Sequence, residues 1–200
     1  MMNSKIQNLI CVTNRHLCNG DFLTRIEEIV KYKPKAILLR EKDLDESEYE
    51  ILAKNVMQIC KNENVPCILH NFVDVALKLK ADAIHMTFAM LRIMSAEDKA
   101  KFHDIGASCH SAEEARKAQS AGCTYIIAGH IFDTLSKKNL PPRGLDFFQE
   151  VIKNVTIPVY AIGGINKDNI DSILNNKASA ACVMSGPMQC ESIEEYFKNW

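Results

Sequence analysis

Short apolar runs rich in β-branched residues alternate along this chain with stretches whose apolar positions recur every three or four residues. Leu9-Ile10-Cys11-Val12-Thr13 reads as a strand and is followed by Phe22, Ile26, Ile29 and Val30 at helical spacing. Ala36-Ile37-Leu38-Leu39-Arg40 leads to a helix opened by Asp45 and Glu48 in a capping-box pattern, with Leu52, Val56, Ile59 and Cys60 along its apolar stripe. Cys67-Ile68-Leu69-His70 precedes Phe72, Val73, Ala76 and Leu77; Ala83-Ile84-His85-Met86 precedes a weaker helix starting near Ser95. Asp104-Ile105-Gly106-Ala107-Ser108 leads to a helix capped by Ser111 and Glu114. Thr124-Tyr125-Ile126-Ile127-Ala128 leads to a long loop through Pro141-Pro142-Arg143-Gly144 and a helix with Phe147, Phe148, Val151 and Ile152. The last two units are Ile157–Ile162 with Ile170, Ile173 and Leu174, and Ala180–Met184 with Ile193, Tyr196, Phe197 and Trp200.

Eight strand–helix units, with strands apolar on both faces, predict an α/β fold: one compact (β/α)8 barrel over residues 1–200. A doubly wound open sheet is the alternative. It is disfavoured because Thr13-Asn14-Arg15-His16 stands after the first strand, where a G-x-G-x-x-G turn would belong. No Pro/Ser-rich linker, fixed repeat or low-complexity segment divides the chain.

Composition narrows the function classes. The 200 residues are 47% hydrophobic, ample for a full core, and the formal net charge of −1 comes without a basic tail or lysine block. Nucleic acid and membrane surfaces are therefore not expected partners, and small-molecule chemistry is. The opening Met1-Met2-Asn3-Ser4-Lys5-Ile6-Gln7-Asn8 lacks the uninterrupted apolar stretch of a signal peptide, so a cytoplasmic location is expected. Eight cysteines include no C-x-x-C pair, and Cys11, Cys67 and Cys182 fall inside strand-like runs, which favours reduced, mostly buried thiols. The oligomeric state stays open, a homo-oligomer included.

In barrels of parallel strands the residues just past each strand's C-terminal end face the substrate. Here those positions hold Thr13, Arg40 with Lys42, His70, His85, Ser108 with His110, His130, Gly163-Gly164 and Ser185-Gly186. His130 opens the segment His130-Ile131-Phe132-Asp133-Thr134-Leu135-Ser136-Lys137-Lys138, which sets an acid/base group beside hydroxyls and lysines. His70, His85 and His110 read as rim residues that cap helices or bond backbone carbonyls, and His16 and His103 as surface residues. A multi-histidine metal site would need convergent ligands and usually a carboxylate; the mouth offers Glu41 and little else, so no metal or cofactor is expected. Gly163-Gly164 and Ser185-Gly186, after the seventh and eighth strands, stand where such barrels bind phosphate through backbone N–H groups. The alternative is that these glycines only make tight turns. Lys137, with Thr134 and Ser136, could close over an anionic substrate as part of a binding loop, beside Lys138 and Arg143. Arg40 and Lys42 offer a second anion contact.

Leu39-Arg40-Glu41-Lys42, Gly106-Ala107-Ser108-Cys109-His110, Gly129-His130-Ile131-Phe132-Asp133-Thr134 with Ser136-Lys137-Lys138, Ala161-Ile162-Gly163-Gly164-Ile165 and Val183-Met184-Ser185-Gly186 resemble the thiamine phosphate synthase/TenI superfamily. The resemblance covers nearly the whole chain. It implies a (β/α)8 barrel that binds a phosphorylated thiazole, with the phosphate on the glycine turns after strands seven and eight. Synthases are similar to this chain at Arg40, Lys42, Ser108, Thr134, Ser136 and Lys137, but carry Asn-Asp at His70-Asn71 and Asp at Met90, and a glutamine at Leu38. Those aspartates hold the magnesium that neutralises a pyrophosphate leaving group. Gly129-His130, where synthases usually have Gly-Pro, is similar to the TenI thiazole tautomerase branch. That branch implies an isomerase needing no metal, with His130 moving one proton within a carboxythiazole phosphate to aromatise the ring. The alternatives are the magnesium-dependent synthase reaction, joining a pyrimidine pyrophosphate to thiazole phosphate, and a non-catalytic regulator that binds thiazole or thiamine phosphates.

Overall fold

A computed structural model describes residues 5–137, 140–198 and 200; Met1-Met2-Asn3-Ser4 and Lys138, named above, lie outside the described residues. Its eight strands run in sequence order around a closed barrel, so the predicted (β/α)8 architecture is the one observed. The chain forms two compact units. One comprises the residues up to Asp82 together with those from Val183 on, and the other Ala83–Cys182.

In the first unit the order is β1 (Leu9–Val12), α1 (Phe22–Val30), β2 (Ala36–Leu39), α2 (Glu46–Asn62), β3 (Cys67–His70) and α3 (Val73–Lys78). The strands are parallel, with Ile10 opposite Ala36 and Ile37 opposite Cys67. β1 and β2 are buried at every position because helices cover one face while the barrel interior takes the other. Asp21 caps α1, and the predicted Asp45/Glu48 capping box starts α2. Tyr49, on the first turn of α2, is fully buried. Its hydroxyl donates to the Leu39 carbonyl at 2.7 Å and accepts from the His70 N–H at 2.9 Å, tying one helix to two strand ends.

The second unit contains β4 (Ala83–Thr87), α4 (Phe88–Ile93), α5 (Ala96–Lys99), β5 (Asp104–Cys109), α6 (Ala112–Ser120), β6 (Tyr125–Gly129), α7 (Gly144–Asn154), β7 (Val159–Ile162), α8 (Ile170–Asn175) and β8 (Ala180–Val183), whose last residue counts with the first unit. Its strands pair in parallel, with His85 opposite Gly106, Gly106 opposite Tyr125, and Ile127 opposite Tyr160. The chain after β8 forms α9 (Ser185–Gln189) and α10 (Ile193–Lys198).

Three local expectations are corrected. The weak helix after β4 is two, because Thr87 caps a six-residue helix before Ser95 caps the next. Only half of the Ser111/Glu114 box forms: Glu114 N–H donates to Ser111, but the Glu114 carboxylate accepts from the His110 N–H at 2.6 Å. The extra helix α9 stands where a glycine turn at Ser185-Gly186 is expected; Pro187 is tolerated in the first turn, where its missing N–H has no helical partner to lose. None of the eight cysteines forms a disulfide among the described residues, and five of them are buried. Among the described residues no helix is long and apolar enough to cross a membrane.

Candidate functional site

The first unit presents Thr13, Arg40, Glu41 and Lys42 where β1 and β2 end. Thr13 is fully buried; its hydroxyl donates to Glu41 Oε1 at 2.6 Å and accepts from the Arg40 N–H at 2.9 Å. Glu41, 2% exposed, also accepts from the Arg15 N–H at 3.0 Å and from Arg15 Nη1 at 3.2 Å. The network fixes the backbone from which the half-buried Arg40 side chain projects. Burial lowers the Arg40 pKa, with Glu41 opposing the shift, yet a guanidinium stays charged at neutral pH. Lys42 is exposed. Ser185, also exposed, begins α9. A Cβ on Gly186 would lie 2.7 Å from Tyr196 Cε2 and Cζ, so this glycine is also required for packing against α10.

The second unit holds Ser108, His130, Thr134, Ser136, Lys137, Gly163 and Gly164. Ser108, near the end of β5, lies 2.8 Å through Oγ from His85 Nε2. His110 Nδ1 lies 2.9 Å from the Gly129 carbonyl, the rim role expected of it. His130 follows β6 directly across a cis peptide, is 9% exposed, and lies through Nε2 3.2 Å from the Leu140 carbonyl. An Nε2–H donated to that oxygen anchors the sixth loop, and the Arg143 N–H donates to the His130 carbonyl at 3.0 Å. Beyond it Leu135–Lys137 form one 3-10 turn, whose Lys137 N–H donates to the Thr134 carbonyl. Lys137 is exposed.

Gly163 and Gly164 have φ of 103° and 66°. A Cβ on Gly163 would come within 2.8 Å of His130 Cα, and one on Gly164 within 2.8 Å of Phe132 Cβ. The tight-turn reading of this pair is thus met in the structure: the turn after β7 packs directly on the segment after β6. Their carbonyls are also engaged, by the Phe132 N–H at 3.0 Å and by Asn169 Nδ2 at 2.8 Å.

Two features escaped the sequence. The His85–Ser108 bond follows from register, because Thr87 faces Ser108 and His85 lies two residues earlier on the same face. Tyr125 stacks on both His85 and Tyr160, and its approach to His85 needs Gly106 between them, a signal visible only once the strands are aligned. A cavity of about 800 Å³ lies in the first unit at the opposite end of β3, lined by Lys61, Asn64, Pro66, Cys67 and Lys80. None of the candidate site residues lines it.

Magnesium sites in proteins rest on one or two carboxylates. At the end of β3 the chain offers Asn71, whose buried Oδ1 has no hydrogen-bond partner among the described residues, a single neutral oxygen. The Glu41 carboxylate is committed to Thr13 and Arg15, and among the described residues no three His, Cys, Asp or Glu side chains converge. These residues do not fit a magnesium ion held by the protein.

A family described as thiamine monophosphate synthase matches residues 9–186. A thiamine-phosphate synthase of Fusobacterium nucleatum is 35% identical over 100% of both chains. One of Clostridium novyi is 31% identical over 93% of each. The thiamine phosphate pyrophosphorylase of Pyrococcus furiosus superposes with a TM-score of 0.83 at 28% identity, covering 98% of this chain and 94% of that one. These relatives overturn the tautomerase and isomerase expectation, since full-length similarity is to proteins named as synthases, which are transferases. A histidine just past a strand can also anchor its own loop, and the His130 ring lies against the Leu140 carbonyl. By its match over residues 9–186 and its similarity along the full length of such relatives, this chain belongs to the thiamine monophosphate synthase family.

Proposed function

We propose that the protein is a thiamine-phosphate synthase, a transferase that joins a pyrimidine pyrophosphate to a thiazole phosphate and releases pyrophosphate. The observation that carries this reading is 35% identity along the entire length of a relative bearing that name. Both substrates are anions, and each unit supplies donors for anions. In the first unit Arg40 offers a planar fork for two oxygens, with Lys42 as a point charge and Ser185 and Gly186 as phosphate donors. In the second, Lys137, Thr134 and Ser136 bind from the sixth loop, the N–H groups of Gly163 and Gly164 receive phosphate, and Ser108 contributes a hydroxyl oriented by His85. His130 holds that loop through Leu140 and shapes the substrate's surroundings. The protein's contribution is to orient two reactants and to stabilise the charge that develops on the leaving pyrophosphate. No magnesium step is assigned to protein carboxylates.

Turnover tests this directly. Purified protein given both substrates should yield thiamine phosphate, detected as fluorescent thiochrome after oxidation, and Arg40→Ala should raise KM or lower kcat. Tight binding of both substrates without product would overturn the synthase reading in favour of a non-catalytic regulator.

A further inference from the structure

Three neighbouring strands place His85, Gly106 and Tyr125 side by side in one register row of the second unit. The middle position has no side chain, and the Tyr125 ring lies across it: a Cβ on Gly106 would overlap Tyr125 Cζ, Cε2 and Oη. The ring thereby reaches His85, with centroids 5.6 Å apart and planes 25° from parallel. On its other side Tyr125 stacks on Tyr160 at 4.9 Å and 27°. Tyr125 is 2% exposed, and its hydroxyl has no hydrogen-bond partner among the described residues. The ring face, then, is what Tyr125 contributes.

His85 in turn is bonded through Nε2 to Ser108 Oγ at 2.8 Å, one step closer to the C-terminal ends of the strands. A serine hydroxyl rotates freely unless a partner fixes it, and a histidine fixes it only while its own ring is held. We propose that Tyr125 is a positioning residue: stacked between Tyr160 and His85 over Gly106, it locks the His85 imidazole and through it the direction of the Ser108 hydroxyl presented to substrate. Gly106 is the second part of the device, because any side chain there would lift Tyr125 away from His85. The kinetic consequence rests on the synthase reading; the structural one does not.

The experiment compares Tyr125→Leu, Tyr125→Phe and Tyr160→Leu with the wild-type protein. Imidazole 15N shifts report which nitrogen of His85 carries the proton and whether it is bonded, with His85→Asn used to assign the signal. Tyr125→Leu should move the His85 signals toward those of a mobile imidazole, while Tyr125→Phe, which keeps the ring, restores the wild-type pattern. Tyr125→Leu should also lower kcat by about tenfold or more while KM changes by less than about threefold, as expected when a group is misoriented rather than lost. If Tyr125→Leu does not fold, Tyr160→Leu, one ring removed, should shift the same His85 signals by a smaller amount. Unchanged His85 signals in the folded Leu variants, or a Tyr125→Phe pattern matching Tyr125→Leu, would overturn the proposal. A wild-type protein without turnover would sink the synthase reading and leave the imidazole measurement to decide this one.

Discussion

Substituting Gly163 by alanine tests how closely the turn after β7 packs on the segment after β6. At φ 103° an L-residue is strained, by about 1–2 kcal/mol. The new methyl would also lie 2.8 Å from His130 Cα and 3.2 Å from the Ile131 nitrogen, both backbone atoms that no side-chain rotation can clear. Overpacking of this kind costs about 1–3 kcal/mol, for a total near 2–5 kcal/mol. Gly144 provides the control, with φ of 78° and nothing within 4 Å of its would-be Cβ, so only the backbone strain applies. For a domain of this size the melting temperature should fall by about 10 °C in Gly163→Ala and about 4 °C in Gly144→Ala. Thermal unfolding followed by circular dichroism reads both. Equal losses would refute the close approach between the turn and the segment after β6.

Thr13→Val removes a buried hydroxyl that Glu41 and the Arg40 N–H both use, and should cost about 1.5–3 kcal/mol in urea denaturation; a change below about 0.5 kcal/mol would contradict the network. Tyr125→Phe deletes a buried hydroxyl without a partner among the described residues and should leave stability unchanged or raised, whereas a loss above about 1 kcal/mol would show that the hydroxyl is satisfied. Hydrogen bonds from Arg15 and then His16 hold the Asp43 carboxyl well below the usual carboxylate range. A depressed folded-state pKa stabilises above the unfolded value, and that contribution is lost as pH falls through the folded one. The stability difference between the wild-type protein and Asp43→Asn should therefore be greatest above about pH 5 and shrink below about pH 4. A difference that grows on acidification would refute this assignment, and added salt should reduce it at neutral pH.

The strands were legible because most of their positions are buried on both faces, which leaves runs such as Leu9–Val12 and Tyr125–Gly129 apolar throughout. Asp45 with Glu48 announced α2 by capping chemistry that is local in sequence. The helix Phe88–Ile93 was not legible: it is one and a half turns of mostly apolar residues, ending in Ile93 at 85% exposure, and shows no polar face to set a period. At the site, sequence placed groups at strand ends but could not say where their polar atoms point. His130 has two ring nitrogens, and only the path of the loop brings one to Leu140; His85 meets Ser108 only because β4 and β5 pair in one register. Sorting by Gly129-His130 and by the residues at 71 and 90 weighed a few positions against a chain similar to synthases along its full length.

The most direct measurement is 31P NMR of the protein in magnesium buffer with the pyrimidine pyrophosphate, thiazole phosphate and, in a parallel sample, the unaromatised carboxythiazole phosphate. The account predicts that the pyrophosphate ester signals vanish as free pyrophosphate and thiamine phosphate appear in equal amounts, while the parallel sample converts no faster than without protein. Persistence of the ester signals, together with protein-dependent conversion of the carboxythiazole, would contradict it.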